Sequence, residues 1–311
     1  MTNSTLISHE KESASIDSAK ASIKEQLKTE ALPEGTTLKE AESIVDELSK
    51  FGFGKFLLKN RGINGKWTRY MVLYPRLWKN SPVDLEGNPQ TEFERWMLTS
   101  APIIMATQER FTFFQEIMQS ELKDESTLIS VACGMMDDLL CLDFSKTRNP
   151  QLIGTDLDSQ SLALAKEQAT SMGMEQHTNF ILADAWDIPL EQKADILTSN
   201  GLNIYEPDDE KVLALFASFF KALKPGGLLV TSFFTKPPAL SSESPWSFTQ
   251  INTEDLALQK LMFVHILAVR FQCYSTESLI KKQLESAGFK EISFRYDRAK
   301  LFPTVTARRP L

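Results

Sequence analysis

From Thr127 onward the chain alternates between short β-rich runs and helical stretches, and that rhythm limits its fold more than any other feature. Residues 127–131, 151–155, 179–183, 194–199 and 228–234 read as strands, while 159–172 and 209–223 carry helical spacing. Strands that are apolar along their length are buried on both faces, so this order predicts a parallel sheet with helices on each side. The end breaks the pattern. Residues 275–287 read as a helix closed by Gly288, and 291–297 and 302–308 as strands with only a brief turn between them. Strands that close together are most easily antiparallel, so the expected fold class is α/β, a doubly wound, mostly parallel sheet ending in an antiparallel hairpin.

The region before the sheet is different. Residues 1–35 are rich in Ser, Thr, Lys and Glu and read as a mobile tail. A capping box at Thr37-Leu38-Lys39-Glu40 then opens a helix, and helical spacing continues to Leu122 with many aromatics, which predicts an N-terminal helical cap over 36–122. The sheet domain is expected over 123–311, with an insert at 235–274 whose helix, 254–272, is apolar on most of its surface.

Composition removes several classes of function. The formal charge of −7 argues against nucleic acid as the main partner. Three cysteines at 133, 141 and 273 form no CxxC pair and read as free thiols of a reducing, cytoplasmic compartment. The longest apolar run, near Leu261–Val269, is far below the roughly 20 residues of a membrane span. No His/Cys/Asp cluster has metal-ligand spacing, so no metal is expected. His9 sits in the tail, His177 enters the third strand from its far end and His265 lies in an apolar helix, leaving no obvious histidine catalyst.

In an open parallel sheet ligands bind beyond the carboxyl ends of the strands. The first such end reads Ala132-Cys133-Gly134-Met135-Met136-Asp137-Asp138, a turn of small residues leading into two acids. Asp156 ends the second strand 22 residues after Gly134, near the ~20-residue offset at which an acid meets ribose hydroxyls. A pyrophosphate needs a bare helix N-terminus, and Asp137 and Asp138 repel it by ~1–4 kcal/mol per contact at about 4 Å. These acids suit a positively charged nucleoside without phosphate, or else simply face solvent and favour the helix dipole.

At these residues the chain resembles the class I S-adenosylmethionine-dependent methyltransferases, over roughly 122–309. Ile129–Gly134 looks like the family's first motif, and Ile153–Asp158 is similar to its second, with Asp156 in the ribose-binding place. Leu182-Ala183-Asp184-Ala185 followed by Ile188-Pro189 resembles the adenine-contacting stretch. Asp195–Leu202 resembles the fourth-strand motif, and Leu223-Lys224-Pro225-Gly226-Gly227 the turn before strand five. The resemblance implies a Rossmann-like fold, S-adenosylmethionine as cofactor, and methyl transfer by in-line displacement to a small molecule. It places Ala132, Cys133, Gly134, Asp137, Asp156, Leu157, Asp184, Ala185, Trp186, Asn200 and Gly201 at the cofactor, with Asn200 and Tyr205 as candidates for the reaction centre.

Three departures stand out: Ser130 replaces the usual acid, Ala132 the first glycine and Met136 the third. Asp137, or an acid of the N-terminal layer, is the expected substitute for the acid. Ala132 is mild if its φ is negative and serious if it is not. Cys133 reads as a small filler, Asp184 has a rival role as a cap for 187–190, and Trp186 either flanks adenine or packs the sheet edge. One end of the helix around Ala106–Phe111 is expected to reach the cofactor, or else to be a solvated face. Two other readings stay open: a protein that binds S-adenosylmethionine without methyl transfer, and a nicotinamide-dependent oxidoreductase. A homo-oligomer is equally open, as is the acceptor atom.

Overall fold

The computed structural model describes residues 15–269 and 273–311; 1–14, His9 among them, and 270–272 lie outside the described residues. Helices come first: α1 (Ile16–Leu27), α2 (Leu38–Leu48), α3 (Gly52–Asn60), α4 (Gly65–Leu77), α5 (Glu92–Thr99) and α6 (Pro102–Glu121). Strands and helices then alternate through β1 (Thr127–Val131), α7 (Asp137–Leu140), β2 (Gln151–Asp156), α8 (Ser159–Ser171), β3 (Thr178–Leu182), β4 (Ala194–Ser199), α9 (Asp209–Ala222) and β5 (Leu223–Ser232). The chain finishes with β6 (Phe234–Thr235), α10 (Thr253–Lys260), a π-helical turn Leu261–Ile266, β7 (Tyr274–Ser275), α11 (Glu277–Ser286), β8 (Lys290–Arg295) and β9 (Thr304–Arg308).

The described residues divide into two compact units: the chain through Gln108 joined by a segment starting at Phe248, and Glu109–Ser247 joined by the C-terminal remainder to Leu311. This differs from the expected boundary after 122, because α6 continues through the dividing point. Its second half carries Phe114 and Met118 into one core with Leu128, Leu152 and Ile196. The insert also divides, since α10 belongs to the first unit. The Trp96 indole N–H donates to Asp255 at 2.6 Å, and Gln259 accepts from the Ile103 N–H at 2.6 Å. The tail expectation is corrected over 16–27. Ser15 caps α1, whose Ala19, Ile23 and Leu27 are buried, an amphipathic face that the surrounding Ser and Lys obscure in the sequence.

Local chemistry sets the helix ends. Thr37 and Glu40 form the predicted capping box, with the Glu40 N–H donating to the Thr37 hydroxyl at 3.3 Å and the Thr37 N–H donating to the Glu40 carboxylate at 2.7 Å. The helical spacing that runs to Leu122 is interrupted at Ser100-Ala101, because Pro102 disfavours helical backbone in the residue before it and is itself well placed as the first residue of α6.

The second unit holds a seven-stranded sheet of order β3-β2-β1-β4-β5-β9-β8. β1 pairs in parallel with β2 and β4, and β9 runs antiparallel to both β5 and β8, which is the expected hairpin. On one face α6, α7 and α8 cover Leu128, Leu152 and Val230; on the other α9 and α11 cover Ile129, Leu197 and Leu229. The chain leaves β1 towards β2 and β3, and later returns to place β4 and β5 on the opposite side. A crevice therefore opens where β1 and β4 diverge, at their carboxyl ends.

The first unit contains a buried acid. The Tyr70 hydroxyl donates to Glu94 Oε1 at 3.0 Å, while Oε2 is buried without a partner. Burial, with Asp84 adding to it, pushes the Glu94 carboxyl up to about 7. An acid raised on folding favours the native state below its unfolded pKa, and that contribution is lost as pH rises through the folded value. Stability should accordingly fall between pH 4.5 and 7, and Glu94→Gln should raise it at pH 8 by about 2–3 kcal/mol while changing little at pH 4.5. Urea melts at the two pH values measure this; parallel curves for the two proteins would show that Glu94 is not the titrating group.

Candidate functional site

The turn after β1 keeps an unusual backbone with a glycine at only one of its three left-handed positions. Ala132 (φ 54°), Gly134 (φ 51°) and Met136 (φ 57°) are all left-handed. For a non-glycine residue this conformation costs about 1–2 kcal/mol, so the loss of glycine at 132 is the serious case of the two expected. What holds the turn is visible around it. The Cys133 N–H donates to the Thr155 carbonyl at 3.0 Å, and the Met136 N–H to the Cys133 carbonyl at 2.7 Å. Cys133 and Met136 are buried against Gly154, where an added Cβ would stand 2.9 Å from the Cys133 sulfur and 3.1 Å from that of Met136. Burial raises the Cys133 thiol, which is the expected inert filler.

Asp156 ties that turn to β2. Its Oδ2 accepts the Gly134 N–H at 2.9 Å and its Oδ1 accepts the Asp158 N–H at 3.0 Å. Burial raises its carboxyl above the ordinary value despite these two bonds. Each oxygen keeps lone-pair capacity, so the group is oriented without being saturated. Two apolar side chains stand exposed nearby in sequence and sheet order: Leu157 is 44% exposed just after β2, and Leu182 is 62% exposed at the end of β3.

Asp138 stands beside Ser130. Asp137 was the expected substitute for the acid missing at Ser130, but the Ser130 hydroxyl donates to Asp138 Oδ2 at 2.8 Å. The same oxygen accepts from the Asn200 side-chain amide at 3.2 Å, and Oδ1 accepts the Leu139 N–H at 3.1 Å. Asp138 is buried, which pushes its carboxyl up to about 6. A buried acid on α7 thus stands beside the serine of β1. Asp137 is also buried, on the same short helix.

Asn200 and Gly201 follow β4 as expected. Asn200 Oδ1 is buried without a partner, and so are Asn203 Oδ1 and the Ser199 hydroxyl. Gly201 (φ 80°) is required by both conformation and space, since a Cβ there would lie 2.8 Å from the Phe302 ring and 3.1 Å from Arg110 Nη1. Tyr205 is in the same cluster, and burial pushes its phenol up to about 12.

Two expectations for the third strand change. Asp184 does not cap a helix over 187–190; its carboxylate accepts the Trp186 N–H at 3.0 Å in a turn. The Trp186 indole N–H donates to the Lys211 carbonyl of α9 at 2.8 Å, and the ring packs on the core beneath that helix. That is the packing alternative rather than base stacking. Ala185 is buried in the same core, so its side chain is not offered to a ligand. Arg110 is the residue whose placement was least legible: in the stretch expected to reach the cofactor or face solvent, it is buried in the sheet unit, with Nη1 donating to the Ser232 hydroxyl at 2.8 Å. Among the described residues no group of three His, Cys, Asp or Glu side chains is placed to hold a metal, and no helix is long and apolar enough to cross a membrane.

The donor set matches a cationic nucleoside with an amino-acid arm. A buried carboxylate on α7, a partly buried one at the end of β2, an unpartnered amide oxygen after β4 and a turn with Gly134 are set at the carboxyl ends of the strands, while Leu157 just after β2 and Leu182 at the end of β3 are exposed. Comparisons with known proteins place the chain among relatives. Residues 129–227 match the model of a methyltransferase domain family. A possible exported protein from Bordetella parapertussis is 36% identical and superposes with a TM-score of 0.89, covering 99% of this chain and 100% of its own. A ubiquinone/menaquinone biosynthesis C-methyltransferase of Pasteurella multocida is 23% identical over 159 residues, and an uncharacterized Haemophilus influenzae protein 28% over 116. The matched regions span 49% and 37% of this chain, and only 58% and 45% of those relatives. The chain belongs to one family with the Bordetella protein, and residues 129–227 of its sheet unit match a methyltransferase domain.

Proposed function

We propose that the protein transfers a methyl group from S-adenosylmethionine to a small-molecule acceptor. The observation that carries this reading is the pair of acids at adjacent strand ends, Asp156 anchored to the Gly134 turn and Asp138 bonded to Ser130. When bound, the cofactor supplies an activated methyl on a cationic sulfur. The protein's share is then alignment, which can contribute ~7–11 kcal/mol, whereas a general base adds only about 10²–10⁴-fold.

Asp156 holds the ribose diol with the lone pairs its backbone donors leave free. Leu157 lies beside the base, with Asp184 at its polar edge. Asp138 meets the ammonium of the methionine arm, since it is the acid bonded to Ser130 of β1. Asn200 presents its unpartnered oxygen where the fourth strand ends, and Tyr205, kept neutral by burial, offers a hydroxyl rather than a phenolate base. The three cysteines are free thiols, in keeping with the cytoplasm as the working compartment.

Isothermal calorimetry with S-adenosylhomocysteine and with NAD⁺, followed by transfer of labelled methyl to an acceptor panel, tests this. The expected result is binding of S-adenosylhomocysteine alone and label transfer to at least one acceptor. Binding of NAD⁺ in its place would reject the reading, and cofactor binding without transfer to any acceptor would point to a protein that binds S-adenosylmethionine for another purpose.

A further inference from the structure

Arg110 is a buried cation that the fold leaves incomplete. It is 5% exposed, its Nη1 donates to the Ser232 hydroxyl at 2.8 Å, and its Nε is buried without a partner. The guanidinium carbon sits 3.8 Å over the Phe302 ring, so one flat face is stacked. Gly201 keeps the backbone after β4 close to Nη1 with no side chain between.

The nearby acids are already engaged. Asp297 accepts the Leu301 N–H at 3.2 Å and the Phe302 N–H at 2.7 Å, so it fixes the loop that carries the stacking ring. Asp138 accepts from Ser130 and Asn200. Tyr205 is neutral at ordinary pH because burial pushes its phenol up to about 12. Burial lowers the Arg110 pKa to about 9 although Tyr205, Asp297 and Asp138 each pull it upward, so these neighbours do not make good the solvation the guanidinium has lost. A chain that only needed to fill this space would do so at lower cost with an apolar side chain.

We propose that Arg110 anchors a carboxylate carried by a ligand of this site. A guanidinium presents its donors as a planar fork matched to a carboxylate, and the stack on Phe302 with the bond to Ser232 fixes that fork before any ligand arrives. The carboxylate comes either from the methionine arm of the cofactor or from the methyl acceptor, and the second source would make this an enzyme of acidic acceptors. The proposal rests on the methyl-transfer reading for the identity of its ligands, but not for the unmet donor itself.

The test compares the wild-type protein, Arg110→Met and Arg110→Lys. One arm measures Kd for S-adenosylhomocysteine and for 5′-methylthioadenosine, which lacks the amino-acid arm. The other follows thermal shifts with benzoate against benzamide and acetate against acetamide, with S-adenosylhomocysteine present. A charged hydrogen bond is worth about 1.5–3 kcal/mol, so Arg110→Met should weaken the carboxylate-bearing partner about ten- to hundred-fold and leave its uncharged counterpart unchanged. Arg110→Lys should fall between. Loss confined to S-adenosylhomocysteine assigns the carboxylate to the cofactor; loss confined to benzoate or acetate assigns it to the acceptor. If the wild-type protein does not distinguish either kind of pair, or Arg110→Met distinguishes both as the wild type does, the proposal is overturned. Wild-type protein that ignores both nucleosides would instead defeat the methyl-transfer reading, and the benzoate arm would still decide for Arg110.

Discussion

Asp156→Ala should lower affinity for S-adenosylhomocysteine by two orders of magnitude or more while the sheet remains folded. The carboxylate is held by the Gly134 and Asp158 amides, one on each oxygen, and both oxygens can still accept from a bound diol. Two hydrogen bonds to a charged acceptor are worth about 1.5–3 kcal/mol each. Part of the effect arises through the turn, because Gly134 loses the acceptor that fixes it. Asp156→Asn separates the two contributions: an amide oxygen can still accept one bond, and the expected loss is about tenfold. Calorimetry gives the affinities and a melting curve confirms the fold. An unchanged Kd in a folded Asp156→Ala protein would remove Asp156 from the site.

Asp138→Ala is expected to damage both stability and binding. Removing the carboxylate leaves the Ser130 hydroxyl and the Asn200 amide without their acceptor in a buried place. A loss of about 2–4 kcal/mol follows from stranding buried donors. Binding carries a distinct pH signature. The Asp138 carboxyl is raised to about 6, so in the free protein it takes up a proton as pH falls through 6, and a protonated acid cannot pair with an ammonium group. Affinity for S-adenosylhomocysteine should therefore fall below pH 6 in the wild type. Asp138→Asn, which keeps the shape, should bind about tenfold more weakly at pH 8 and lose that pH dependence. Ser130→Asp combined with Asp138→Ser returns the acid to the strand and should recover binding. If Asp138→Asn binds with the wild-type affinity and pH profile, the acid has only a structural role.

A truncation after residue 122, which the sequence invites, would misreport the sheet domain. It would remove Phe114 and Met118 from the core shared with β1, and Arg110 along with them. The division lies near 108 because helix α6 serves both units along its length. Nothing in a continuous helical pattern marks the point where its partners change.

Much of the architecture is local and could be read directly. Apolar runs between helical stretches identify β1, β4 and β5, because a strand buried on both faces has no polar alternation to disguise it, whereas β3, at the sheet edge, has no buried residue and is marked by its place in the alternation. Asp156 was legible for a similar reason, since a strand end and a fixed offset are properties of the chain itself. The contact of Asp138 with Ser130 was not, because it depends on how Met136 turns the backbone into α7 with a left-handed step. Nor was the stranded guanidinium of Arg110, whose neighbours Ser232 and Phe302 lie 122 and 192 positions further along the chain. Sequence by itself determined which segments form strands and which acid closes the second of them. Tertiary structure alone decided which charges lost their water and which partners they met, because burial and electrostatic pairing depend on separation in space.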